Sequence, residues 1–223
     1  DADCCSSLGR SCKIICRFQK KPSVFEGFFI RSENKVNKLL IYFIGPGGAG
    51  KTTTAKLLAS QLKCTCYDLD EYFMALEGDI AQYIKTKGYE RYALRNFELF
   101  LELKAKQQSS SINLIVCSSG FMTYPNYIHH DYIKVKEEVE NHPFTFLLLP
   151  AVDVELCVQL IITRQMNRAY LKTNREKEEF KIRSRFSIYA GLKCHLVLTE
   201  QSPDMVVAGI NMRLHSFSPL NFL

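Results

Sequence analysis

The stretch Ile41-Tyr42-Phe43-Ile44-Gly45-Pro46-Gly47-Gly48-Ala49-Gly50-Lys51-Thr52-Thr53-Thr54 restricts what this chain can become more than any other. A short apolar run leads without a break into Gly45-x-x-x-x-Gly50-Lys51-Thr52, the pattern of a phosphate-binding loop set between a buried strand and a helix. Glycines let the backbone close around an anion with its N–H groups inward, and the N-terminus of the following helix adds partial positive charge. In such a loop Lys51 reaches the β and γ oxygens of a nucleoside triphosphate, and the Thr52 hydroxyl is placed to coordinate Mg2+. Gly45, Gly47, Gly48, Ala49, Gly50, Lys51, Thr52 and Thr53 are therefore candidate nucleotide contacts. ATPases, GTPases and small-molecule kinases all share this loop, so it names a ligand class and leaves the reaction open.

Composition narrows the frame. The 223 residues are 47% hydrophobic, enough for one sizeable core, and the formal charge of +6 suits small anionic ligands while being too diffuse to indicate nucleic acid. No apolar run approaches the roughly 18 residues of a membrane span, and the reading is of a cytoplasmic monomer. Residues 1–36 mix Lys and Arg with Phe, Ile and Ser without a sustained period, and are expected to form an extension with little structure of its own. No signal-peptide pattern is present there. Four cysteines, Cys4, Cys5, Cys12 and Cys16, crowd this segment; Cys12-x-x-x-Cys16 lacks a His or a second pair to complete a metal site. Cys64, Cys66, Cys117, Cys157 and Cys194 stand in or beside apolar runs and read as small hydrophobes of the core.

From residue 37 onward, strand-like apolar runs alternate with amphipathic helical ones. Strands are expected at 38–44, 64–68, 112–117, 144–149 and 194–199, and helices at 50–61, 88–106, 126–140, 153–164, 176–190 and 203–213, with Asp153 as an N-cap. This alternation predicts one α/β domain over 37–223, a three-layer sandwich with a five-stranded parallel sheet covered by helices on both faces.

The second strand ends Tyr67-Asp68-Leu69-Asp70, which puts two carboxylates on the same side at the C-terminal edge of the sheet, where a doubly wound fold binds its ligands. Asp68 suits Mg2+, and Asp70 an acceptor hydroxyl, as base or orienter. The alternative is a helix cap ahead of Glu71-Tyr72-Phe73. Three further clusters also have two readings each. Arg95-x-x-Glu98 is an anion clamp or a surface pair, Ser118-Ser119-Gly120 a substrate loop or a plain turn, and Arg164, Arg168 and Arg185 are ligand contacts or a solvated helix face.

Taken in order, these pieces resemble the shikimate kinase family. Gly45 to Thr52, "DLD" at 68–70, "LRNFE" at 94–98, "SSG" at 118–120, "RQMNRAYL" at 164–171 and "RFSIY" at 185–189 follow that family's phosphate loop, Asp-x-Asp strand end, Arg-x-x-Glu helix, glycine triplet, lid and final Arg-x-x-x-Tyr. Residues 78–98 are similar to its helical insertion. The resemblance implies a nucleoside monophosphate kinase-like P-loop fold with a lid, ATP with Mg2+, and phosphoryl transfer to the 3-hydroxyl of shikimate in aromatic amino acid biosynthesis. Asp70 would hold the acceptor hydroxyl and take its proton, with Lys51 and Arg168 at the transferring phosphoryl. Arg95 and Arg185 would clamp the acceptor carboxylate, Ser119 and Gly120 would offer backbone N–H groups to the substrate, and Arg164 would lie near adenine.

The chain departs from the pattern in places. Ser118-Ser119-Gly120 replaces three glycines, Glu90-Arg91 and Leu94 replace the usual residues ahead of Arg95, and Arg168-Ala169-Tyr170 replaces Arg-Pro-Leu on the lid. Two other readings therefore stay open: a kinase of another hydroxylated acid such as gluconate, and a diverged nucleotide-binding protein without catalysis.

Overall fold

The computed structural model describes residues 39–106, 112–166 and 175–217, and every structural statement here refers to those residues. Five strands form one parallel sheet in the order β2-β3-β1-β4-β5, where β1 is Leu39–Ile44, β2 Thr65–Asp68, β3 Ile112–Val116, β4 Thr145–Leu149 and β5 His195–Leu198. Tyr42 of β1 stands opposite Ile115 of β3 and Thr145 of β4. The expected five-stranded parallel sheet is found, with strand ends within one residue of the sequence reading.

Strand β1 is apolar throughout because it is buried on both faces, as a central parallel strand must be. Ile41 and Phe43 pack into one layer with Ala55 and Leu58 of α1 (Lys51–Leu62) and Val207 and Ile210 of α8 (Pro203–Phe217). Leu40, Tyr42 and Ile44 face the other layer, with Phe97 and Phe100 of α4 (Tyr89–Lys106) and Tyr132 of α5 (Tyr132–Asn141). A third cluster joins α6 (Val154–Met166) to α7 (Arg175–Ala190) through Cys157, Ile161 and Ile182.

Between β2 and α4 the chain makes two short helices, α2 (Leu69–Glu77) and α3 (Ile80–Lys87), where the sequence reading had only a family-like helical insertion over 78–98. Asp68 and Asp79 cap them: Asp68 Oδ1 accepts the backbone N–H of Asp70 at 2.9 Å, and Asp79 Oδ1 accepts that of Gln82 at 2.8 Å. The fully buried Phe73 of α2 meets Tyr83 edge-on at 5.0 Å and Tyr92 at 5.1 Å, which holds the insertion on the domain. Asp153 caps α6 as expected, accepting the Leu156 N–H at 2.9 Å.

The helix expected over 126–140 begins only at Tyr132. Ahead of it the Pro125 carbonyl accepts the Ile128 N–H at 3.1 Å and His129 Nδ1 accepts that of Asp131 at 3.1 Å, so successive turns use the groups a helix would need. Cys117 and Cys157 are buried free thiols, while Cys64, Cys66 and Cys194 are only partly covered. The N-terminal cysteines lie outside the described residues. No helix among the described residues is long and apolar enough to cross a membrane.

Two stability predictions follow from packing. At Gly45 φ is +140°, and a Cβ there would stand 2.3 Å from the Leu148 carbonyl oxygen of β4. Gly45→Ala should therefore lower unfolding free energy by about 2 kcal/mol or more, read from urea denaturation. His142, edge-on to buried Tyr42 at 5.1 Å, accepts the Phe144 N–H at 3.2 Å through Nδ1, and burial depresses its pKa to about 4. Below its unfolded value near 6.5 the unfolded chain binds the extra proton, so this stabilisation is present above about pH 6.5 and lost as pH falls to about 4. The loss should be on the order of 2–3 kcal/mol, and shallower in His142→Asn, measured by melting at a series of pH values.

Candidate functional site

The strand order brings the C-terminal ends of β1, β2 and β3 side by side, and each end supplies one part of the site. After β1 the phosphate loop turns into α1 through Gly50, whose φ of +87° is the left-handed cap of that helix. A Cβ at Gly47 would stand 3.1 Å from the Gln165 amide of α6 and 3.7 Å from the Ser119 side chain, so the loop runs between the end of β3 and α6. Lys51 is buried, and its ammonium donates to the carbonyls of Gly45 at 2.8 Å and Pro46 at 2.9 Å. Burial lowers its pKa, and the charges of Asp70 and Asp68 oppose that shift.

Asp68 does two jobs at once. One oxygen caps α2, and the other accepts the Thr52 hydroxyl at 2.6 Å. The cap reading and the metal reading of the "DLD" segment are thus compatible, and the cap is Asp68 where the sequence reading had considered Asp70. Two oxygen donors this close, one a carboxylate and one a hydroxyl beside a phosphate loop, fit a hard divalent cation such as Mg2+.

The first turn of α2 carries Asp70 to the base of the pocket, where the Ser118 hydroxyl donates to its Oδ1 at 2.5 Å and the Tyr92 hydroxyl at 3.4 Å. Burial raises the Asp70 carboxyl above its ordinary range, helped by Asp68 and opposed by the Ser118 and Tyr92 hydrogen bonds and by Lys51. Ser118 in turn accepts from Asn96 Nδ2 at 2.8 Å, and Asn96 Oδ1 accepts the Tyr124 hydroxyl at 2.9 Å.

A polar pocket of about 110 Å³ runs from Gly48 and Lys51 past Asp68 and Asp70 to Cys117 and Ser119. A second, of about 280 Å³, shares Gly48, Gly50 and Thr53 with it and continues along Arg164, Thr199 and Pro203. Arg164 donates to the Thr199 hydroxyl at 3.2 Å, to the Thr199 carbonyl and to the Gly48 carbonyl at 3.5 Å, so it borders the phosphate loop on the side away from Asp70.

Arg185 reaches the "SSG" turn from α7. Its Nη2 donates to the Tyr89 hydroxyl at 2.8 Å, and its Nη1 would lie 3.6 Å from a Cβ at Gly120. The same Cβ would stand 2.8 Å from both the Tyr124 ring and the Tyr89 hydroxyl, so glycine alone leaves room there. One turn further along α7, buried Tyr189 donates its hydroxyl to the Ser119 carbonyl at 2.7 Å.

Arg95 is placed differently from the other site candidates. Its Nε donates to Glu77 at 2.6 Å and its Nη1 to Glu102 at 3.1 Å and Glu98 at 3.4 Å, and no hydrogen bond links it to the residues around Asp70. On α4 Tyr92 donates to Asp70 and Asn96, one turn on, to Ser118, whereas Arg95 shares a strip with Glu98 and Glu102. The guanidinium pKa is pushed up, most by Glu77. Arg168, with Ala169 and Tyr170, lies outside the described residues.

Sequence reasoning singled out neither Asn96, Tyr92 and Tyr124 nor the pairing of Ser118 with Asp70. A usable signal existed: Asn96 interrupts the apolar face of α4 between Ala93 and Phe97, and a buried amide requires partners.

The family model for shikimate kinase matches residues 47–214. Shikimate kinase 2 of Photorhabdus laumondii is 32% identical over 82 residues, 36% of this chain and 44% of the relative, so the matched stretch spans under half of that protein. Among solved structures, the shikimate kinase of Acinetobacter baumannii in complex with shikimate superposes with a TM-score of 0.59 at 22% identity, covering 82% of this chain and 94% of its own. A gluconokinase of Sinorhizobium meliloti shares the fold at a TM-score of 0.53 and 12% identity, covering 83% and 96%. With its phosphate loop and Asp-x-Asp strand end lining one pocket, and the family model spanning most of its length, this chain belongs to the shikimate kinase family.

Proposed function

We propose that the chain is an ATP-dependent kinase of a small hydroxylated carboxylic acid, with the 3-hydroxyl of shikimate as the first acceptor to test. The observation that carries this reading is the position of Asp70, set between the phosphate loop and the "SSG" turn with Arg185 over Gly120. This position supports Asp70 as the partner of an acceptor hydroxyl and Arg185 as the partner of the acceptor's own carboxylate.

In this reading the loop N–H groups from Gly47 to Thr53 cradle the triphosphate of ATP. Lys51 exchanges its two loop carbonyls for β and γ oxygens, and Arg164 borders the base. Thr52 and Asp68 would hold Mg2+, which neutralises charge on the phosphates when bound. Asp70 aligns the acceptor hydroxyl and receives its proton, and Arg185 binds the carboxylate with a planar donor set that a lysine does not reproduce. Arg168 is proposed to come down from the lid onto the transferring phosphoryl. Transfer of this kind needs alignment and charge stabilisation more than covalent help. The expected place of the chain is the cytoplasmic pathway to aromatic amino acids.

Arg95, the expected second clamp, is paired with Glu77, Glu98 and Glu102, which leaves Arg185 as the arginine beside Gly120 among the described residues. Another hydroxylated acid, such as gluconate, is the alternative acceptor.

ATP consumption assayed against a panel of hydroxy acids should show turnover with shikimate or, failing it, gluconate; no turnover with any acid would leave only nucleotide binding. Asp70→Asn should reduce kcat by about 100-fold or more while ATP affinity stays within about twofold. Arg185→Lys should raise KM for the acid by about tenfold with little effect on KM for ATP.

A further inference from the structure

We propose that Ser118 is a positioning residue for Asp70: through a buried relay from Tyr124 and Asn96, it fixes which carboxylate oxygen faces the acceptor hydroxyl. The inference rests on the reading of Asp70 as the group that meets that hydroxyl. It concerns the point at which this chain departs from its family, a serine at the first position of the glycine triplet.

The relay begins with a sequence oddity. Asn96 is fully buried in α4 among apolar neighbours, where an amide left without partners is destabilising. Its two ends are satisfied in opposite senses. Tyr124, itself buried, donates its hydroxyl to Asn96 Oδ1 at 2.9 Å, and Asn96 Nδ2 donates to Ser118 Oγ at 2.8 Å. Ser118 has one proton to give, and with Asn96 donating into its oxygen that proton goes to Asp70 Oδ1 at 2.5 Å. The Tyr92 hydroxyl converges on the same oxygen at 3.4 Å. Both side-chain hydrogen bonds to Asp70 therefore fall on Oδ1, and Oδ2 is the oxygen left for another partner among the described residues.

The backbone of Asp70 is fixed independently, because its N–H is donated to Asp68 Oδ1 at 2.9 Å. With the main chain held from β2 and the carboxylate held from β3 and α4, neither torsion of the side chain is free. A glycine at 118 has no hydroxyl, so it would break the relay at its last step and leave the Asn96 amide unpartnered in the core. Serine is the small residue that links the two. Alignment of this kind acts on the chemical step, where displacements on the order of 1 Å cost up to about 100-fold in rate.

The test uses the full chain and two variants that preserve shape, Ser118→Ala and Tyr124→Phe, with steady-state kinetics on the hydroxy-acid panel and melting temperatures alongside. Ser118→Ala should lower kcat about tenfold or more, with KM for ATP and for the acid within about twofold. Tyr124→Phe, acting two links away, should lower kcat less, and the double variant should be no slower than Ser118→Ala alone, as expected of one connected relay. A kcat for Ser118→Ala within twofold of the parent overturns the proposal, as does a rise in KM alone, which would make the serine a binding group. Should the parent turn over no hydroxy acid, the kinase reading fails by itself, and crystals of parent and Ser118→Ala decide the relay. A rotated Asp70 carboxylate supports it, and an unchanged one overturns it.

Discussion

One carboxylate, Asp68, connects the parts of this molecule that must act together. Its Oδ1 closes the N-terminus of α2 and its Oδ2 accepts the hydroxyl of Thr52 at the start of α1. The second strand is thereby tied to the helix that follows the first. The position of Asp70 is a by-product of this cap: once α2 starts at Leu69, Asp70 is in its first turn and its backbone is no longer free. An acidic residue there also lies favourably in the positive end of the α2 dipole, so local electrostatics and the arrangement of the pocket agree.

Much of the fold was legible because parallel strands buried on both faces write long apolar runs, and each of the five runs became a strand. The phosphate loop was legible for the same reason, since its glycines follow a strand and open a helix. What escaped was short or cooperative. Helices α2 and α3 are nine and eight residues long and separated by Gly78 and Asp79, too brief for a periodic pattern to rise above its neighbours. The turns over 126–131 looked helical in composition, yet Pro125 and His129 take up the backbone donors locally.

Of the residues around the phosphate loop, those carried by a local motif were legible and those joined only by the fold were not. Lys51, Asp68, Asp70 and Arg164 line the two pockets, and Arg185 lies beside Gly120. Arg95 shows the limit of residue type as a guide. Its spacing from Glu98 suits a clamp, but Glu77, 18 residues earlier in the chain, completes a cluster of three carboxylates that no local pattern displays. The tyrosines around Asp70 are opaque for a related reason. Tyr89, Tyr92 and Tyr124 approach one another with ring centroids 5.9–6.4 Å apart, and in the sequence each reads as ordinary core.

Helix α7 reaches two other parts of the domain: Tyr189 donates to the Ser119 carbonyl after β3, and Arg185 to the Tyr89 hydroxyl of α4. The two residues are four apart, so their backbone positions are spaced by one helical turn, about 6 Å along a rigid rod. The loop after β3 and the start of α4 are therefore fastened to one element, and a movement of α7 along its axis carries both contacts with it.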